Sequence, residues 1–388
     1  MGRDAQPTEP TELLWLSAVT WRFPLVGRTR MITEAWLQSG QPTTFVQPPY
    51  LRSGLDRLKR AVVPHAEPHV ITPWPAYPVS WWKHLSENRL RRAVQRQAAS
   101  LRHRLERKLD ISQTVALVVS PVWNEWLDAL PFRSVIYDCI DHVDVHAPRP
   151  ELRPLFRRWE DELVQRASAA IASSGHLKQS ILAKRPDIPI TLIRNGVDSE
   201  WFRRSAKRFG RPTDLPSSDE RPLIGFVGAL YEWLDTKLIQ KVAAAMPEFD
   251  FVFVGPQDGR SNFPRAPNIH ALGFRPYEQV PAYIAAFDVC WIPFRQGLVA
   301  TAANPVKLYE YLSLGKPVVT TPVADIDSFE GLLSVGTTEE GIVTLLRKTA
   351  SEEANSASAR IDFADRNSWK SRARAMARFT ESQCELLS

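Results

Sequence analysis

Cysteine is scarce in this chain and long apolar runs are absent. Its three cysteines, Cys139, Cys290 and Cys384, lie far apart in 388 residues. The first two sit inside strand-like apolar runs. Such usage argues against a disulfide framework and suits buried thiols in a reducing compartment. No stretch approaches the roughly 18 to 20 consecutive apolar residues of a spanning helix, and the opening MGRDAQPTEPTELLWL lacks the charged-then-apolar layout of a secretion signal. The expectation is a cytoplasmic protein. With 44% hydrophobic residues over this length, two domains can each bury a core.

Charge is unevenly placed. The net +6 includes a segment, Lys83 to Lys108, with nine Lys or Arg against two Glu. Trp81 and Trp82 precede it, so a helix here sets two aromatic rings beside a basic face. That pairing suits an anionic membrane surface, with peripheral attachment to the cytoplasmic face. The plainer reading is a solvated basic helix. Nucleic acid is not expected, because no nucleic-acid-binding motif accompanies the charge.

Periodicity gives strand patterns at Leu13 to Val19, Thr43 to Val46, Val115 to Val119, Ser134 to Tyr137, Ala169 to Ala172 and Ile190 to Ile193. Helical spacing at Arg28 to Gln38, Glu151 to Ala167 and His176 to Ala183 lies between them. A Pro- and Ser-rich connection, SAKRFGRPTDLPSSDERP, leads to a second alternation. Its strands are Leu223 to Val227, Phe251 to Val254, Val289 to Ile292 and Val318 to Thr321, with helices near Lys237 to Met246, Gln279 to Ala286 and Pro305 to Leu314. The expected fold is α/β, with two doubly wound Rossmann-like domains facing a cleft. The expected bounds are 1–200 for the first domain, with a basic helical insertion at about 53–110, then 201–365 for the second. A terminal helix, 366–388, returns to the first domain.

The stretch NPVKLYEYLSLGKPVVTT, Asn304 to Thr321, carries the chemistry. Asn304 is expected to cap a helix whose first residue is Pro305, and Gly315 to end it. First-turn N–H groups lack intrahelical partners and favour an anion there. Lys307 and Glu310 share one face. Upstream, IGFVGALYEWLD ends a strand at Gly228 and FVFVGP ends one at Gly255.

With RNGVDSEWF and NIHALGFRPYEQV, these stretches resemble the retaining nucleotide-sugar glycosyltransferases of glycosyltransferase family 4. Within it they are most similar to the teichuronic acid and cell-surface polysaccharide enzymes. The resemblance implies the GT-B fold and transfer of a sugar from a nucleoside diphosphate sugar to a glycan or lipid-linked glycan acceptor, with retention. It implies that Glu310 accepts hydrogen bonds from the donor ribose and that Asn304, Pro305 and Val306 lie against the diphosphate with Lys307. The resemblance also implies that Gly273, Phe274 and Arg275 line the base pocket, beside Gly228. In the first domain, Gly27 and Arg28 fall at the turn facing the donor phosphate. Asp138, Asp141 and His142 leave a strand at its carboxyl end as catalytic candidates, and Ser173 or Ser174 faces the cleft.

The chain departs from that family at three places. Ala302 stands eight positions before Glu310, where relatives carry another Glu; Ala229 and Asp235 replace an Arg and a Lys. Lys307, Lys237 or Arg275 are the available substitutes for the missing cations. A metal site built from Asp138, Asp141, His142, Asp144 and His146 has no recognised ligand spacing, so that segment reads as a polar loop. Without a compact DxD motif on a recognisable strand end, no cofactor or metal is expected. Two further readings stay open: a GT-B-like sugar-nucleotide epimerase, and a non-catalytic scaffold of a polysaccharide assembly complex.

Overall fold

Strands buried on both faces need apolar residues throughout, and this chain supplies them in two blocks. The computed structural model describes residues 12–23, 25–48, 50–51, 67–73, 77–78, 87–147, 149–217, 221–257, 263–351 and 357–386. The first block forms β1 (Leu13–Leu16), β2 (Thr43–Val46), β3 (His69–Ile71), β4 (Val115–Val118), β5 (Ser134–Cys139), β6 (Ala169–Ala172) and β7 (Ile190–Leu192). They pair parallel in the order β3-β2-β1-β4-β5-β6-β7. The second block forms β8 (Leu223–Val227), β9 (Asp250–Val254), β10 (Ile269–Gly273), β11 (Val289–Ile292), β12 (Val318–Thr320) and β13 (Leu333–Val335). Their order is β10-β9-β8-β11-β12-β13, again parallel. In both sheets the order reverses beside the first strand, which opens a crevice at its carboxyl end.

Four helices position the site: α1 (Arg28–Gln38), α2 (Glu87–Glu106), α3 (Val306–Ser313) and α4 (Trp369–Glu385). α1 follows β1, and α3 leads into β12. α4 crosses back to the first domain, where Trp369 and Met376 join the core and Trp36 donates its indole N–H to the Ala373 carbonyl at 2.9 Å. The crossing is sealed by backbone bonds from Val197 N–H to Asn367 and from Trp369 N–H to Val197.

The region read as an insertion is partly integral, because β3 within it extends the first sheet through pairing with β2. The segment read as a connection begins as helix, since Ser199–Phe209 continues through SAKRF. Trp81, Trp82 and Lys83 lie outside the described residues. No helix among the described residues is long and apolar enough to cross a membrane.

Candidate functional site

The carboxyl ends of the two sheets enclose a cleft of about 380 Å³. Of the residues singled out in the sequence, Gly27, Arg28, Asp141, Gly228, Phe274, Arg275, Asn304, Pro305, Val306, Lys307 and Glu310 line it. Asp138, His142 and Gly273 are not among its lining residues.

The floor is shaped by two glycines. Gly228 and Gly255 end β8 and β9 at φ of 151° and 154°, a region that excludes most side chains. A Cβ on Gly255 would stand 1.8 Å from the Gly228 carbonyl oxygen, and one on Gly228 would stand 3.0 Å from Cε of Lys307. The backbone is thereby kept low beneath the mouth of α3.

That mouth differs from the expectation in one respect. Pro305, in extended conformation, occupies the N-cap position, and the helix begins at Val306. Asn304 does not cap it. Its Oδ1 accepts the Asn195 N–H and the Tyr309 hydroxyl, each at 3.0 Å, and its carbonyl accepts Asn195 Nδ2 at 2.6 Å. The physical reason is the seam: Asn195 comes from the other side of the domain junction and takes the amide that would have turned toward the helix. The first-turn N–H groups of Val306 and Lys307 consequently have no side-chain cap. At the other end Gly315 donates to Leu312 and Lys316 to Tyr311, closing the helix as the sequence indicated.

Glu310 is 7% exposed, and its Oε1 accepts the Tyr277 hydroxyl at 2.9 Å. Tyr277 stacks on Trp201 at 5.2 Å, which fixes the carboxylate's orientation. Burial pushes the Glu310 pKa up, opposed by the Tyr277 bond and the Lys307 charge. Lys307 holds its ammonium between the rings of Phe226 and Phe294, 5.4 and 5.3 Å from their centroids. Among the described residues no carboxylate pairs with it. Burial lowers its pKa, while the charges of Glu310 and Asp141 raise it. Asp141 reaches the cleft from the end of β5, and burial pushes its pKa up to about 6 against the pull of Lys307. One cation from the second domain thus feels the charge of a carboxylate on its own helix and of one from the first domain.

Several expected ligands are otherwise engaged. Arg28 is 3% exposed. It donates from Nε and Nη2 to Asp138 at 3.1 and 3.0 Å and from Nη1 to the Ile193 carbonyl at 2.7 Å. The cleft therefore sees Arg28 with its guanidinium already satisfied, and Asp138, fully buried, serves as its counterion instead of facing substrate. His142 caps the short helix Val143–His146, its Nδ1 accepting the Asp144 N–H at 3.3 Å, and burial lowers its pKa. Arg275 lines the cleft but is bound to Asp214, to the Tyr283 hydroxyl at 2.8 Å and to the Phe274 carbonyl at 2.8 Å. Gly27 has open space before it, so backbone approach there is unobstructed. Ser174 caps its helix through Leu177 N–H and donates its hydroxyl to the Ala302 carbonyl at 2.7 Å. Ala302 is fully buried in that seam. Asp235 caps helix Thr236–Ala245 through Leu238 N–H, and Lys237 is exposed away from the cleft. Of the three substitute cations, Lys307 is the one with an uncommitted charge in the cleft.

Sequence reasoning overlooked Trp233, Tyr277 and Phe294, which also line the cleft. Trp233 and Tyr277 stand inside the quoted stretches GALYEWLD and GFRPYEQV, where a bulky ring reads most simply as core.

Comparison with known proteins agrees with the fold. Residues 221–351 match the family model described as Glycosyl transferases group 1. The putative teichuronic acid biosynthesis glycosyltransferase TuaH of Bacillus subtilis (strain 168) is 32% identical over 201 residues, 48% of this chain and 50% of that protein. The matched stretch thus spans half the length of that relative. Sucrose-phosphate synthase from Thermosynechococcus elongatus superposes with a TM-score of 0.69 at 15% identity, over 96% of this chain and 98% of the other. HepE from Anabaena, solved with UDP and glucose, gives 0.67 at 14% identity, over 95% and 99%. The architecture is GT-B.

Proposed function

We propose that this chain, whose residues 221–351 form a group 1 glycosyltransferase domain, moves a sugar from a nucleoside diphosphate donor to a glycan or lipid-linked glycan. The setting is cell-surface polysaccharide synthesis at the cytoplasmic face of the membrane. The observation that carries the reading is the triad of Glu310, Lys307 and Asp141 around one interdomain cleft whose floor ends in an uncapped helix mouth. UDP is the favoured nucleotide, because HepE, of the same fold, is solved with it.

In this reading Glu310 accepts the ribose hydroxyls. Its Oε1 already holds Tyr277, so the diol is met chiefly by Oε2. The Phe274 loop flanks the base. The N–H groups of Val306 and Lys307, with the Lys307 ammonium, face the diphosphate. As the bond from the anomeric carbon to the phosphate oxygen breaks, its electron pair leaves with the nucleoside diphosphate. Donors fixed at that oxygen stabilise the transition state more than the ground state. Asp141, ionised above about pH 6, orients the incoming acceptor hydroxyl. That oxygen bonds the anomeric carbon on the face the leaving group vacates, and its proton passes to the departing phosphate, so configuration is retained.

The test pairs binding with turnover. UDP, GDP and dTDP are screened by melting shift, then the matching sugars are incubated with a panel of p-nitrophenyl glycosides. A stabilising nucleotide and acceptor-dependent release of it support transfer. No shift with any nucleotide would leave a scaffold, and a changed sugar nucleotide without acceptor would identify an epimerase.

A further inference from the structure

We propose that the exposed face of α2 docks on an anionic lipid bilayer, an inference that goes beyond the transferase reading and holds whether or not sugar is transferred. α2 buries Val94, Gln97, Ala98, Leu101 and Leu105 in the first domain's core. Residues on the opposite face are exposed. Arg89, Arg92, Arg96 and His103 follow one another along one side, and Arg107 and Lys108 continue beyond the helix end. Intramolecular pairing takes up only part of the charge: Arg91 pairs with Glu125 at 3.0 Å and Arg102 with Glu106 at 2.7 Å. Among the described residues, Arg89, Arg92, Arg96, Arg107 and Lys108 have no acidic partner. The local field is felt by a neighbour, since Lys108 and Arg104 add to burial in lowering the His69 pKa.

Two features favour a bilayer over nucleic acid. The stripe from Arg89 to His103 is straight and about 20 Å long at the helical rise, so a flat anionic surface meets its charges together, each contributing separately. Within its described residues the stripe shows no exposed Phe, Tyr or Trp ring on which bases would stack. Topology then places the stripe usefully. The helix leads through residues 107–114 into β4, so its carboxyl end lies toward the amino edge of the first sheet. Its amino end, with Arg89 and Arg92, points toward the carboxyl edge, where the cleft opens. A membrane along α2 would therefore lie beside the cleft.

The test is co-sedimentation of the full chain with vesicles of phosphatidylcholine alone and of equal parts phosphatidylcholine and phosphatidylglycerol. Binding is expected on the anionic vesicles and should weaken with salt. The triple variant Arg89→Gln, Arg92→Gln, Arg96→Gln should lower partitioning on the order of 100-fold, with its melting temperature unchanged. Wild type that ignores anionic vesicles, a triple variant that binds them equally well, or displacement of the vesicles by short duplex DNA or RNA would each overturn the proposal. None of these readouts depends on nucleotide binding, so failure here is distinguishable from failure of the transferase reading.

Discussion

Replacing Lys307 with Met tests whether that side chain recognises the phosphates of a nucleotide. The ammonium lies between Phe226 and Phe294 and makes no ion pair among the described residues. A Met side chain of similar length fits the same apolar sleeve, so the unliganded fold should lose little. The loss falls on the liganded state, where a desolvated anion is left without its cation. Truncating one partner of such a buried charge pair costs about 3 kcal/mol, within the usual 2 to 5, or on the order of 100-fold in Kd. Uridine carries no phosphate and should be held by Glu310 as before. Calorimetric titration with UDP and with uridine separates the two terms. It is best done near pH 8, well above the Asp141 pKa of about 6, because removing Lys307 also takes away a charge that lowers the pKa of Asp141 and Glu310. A Kd for UDP that rises about 100-fold while that for uridine changes less than about threefold supports the assignment. Equal weakening of both ligands, or of neither, would refute it.

Glu310→Gln should weaken uridine and UDP alike, by roughly ten- to 100-fold, because the charged acceptor for the ribose hydroxyls is lost in a buried setting. Equal Kd values for variant and wild type would remove it from the site. For Asp141, the folded pKa of about 6 stands above the unfolded carboxylate value. Its neutral form is favoured by the fold, so stability is greatest below about pH 4, declines as pH rises through about 6 and is level above. Asp141→Asn should therefore melt higher than wild type at pH 7 to 8, with the gap closing toward pH 4. The rise of kcat/KM across about pH 6 should disappear in the variant. Asp138→Ala strands the Arg28 guanidinium, 3% exposed, and should cost about 3 to 5 kcal/mol in denaturant unfolding; a loss under 1 kcal/mol would contradict the counterion role.

Much of the fold could be read locally because its strands are buried on both faces. Val115–Val118, Ala169–Ala172 and Leu223–Val227 are continuous apolar runs in the sequence and fully buried strands in the sheet. Three of the four edge strands escaped notice for the complementary reason, the fourth, β7, being marked by its ITLI run. β3, β10 and β13 are partly exposed, so neither an unbroken apolar run nor a clean alternation marks them. At the site, Lys307 and Glu310 were legible because one helical turn relates them. Asn304 was misread as a cap because its true partner, Asn195, lies 109 residues away. The same holds for Arg28, whose buried carboxylate is 110 residues distant, and for Arg275 with Asp214 at 61. A pairing of that separation leaves no local pattern, and it decides whether a cation remains available to ligand.

The most direct measurement is a crystal structure of the wild-type chain with UDP. The account predicts ribose hydroxyls on the Glu310 carboxylate and the terminal phosphate at the mouth of α3, in ion-pair reach of Lys307. Density for UDP outside this cleft, or an empty cleft at a UDP concentration that saturates binding in solution, would contradict it.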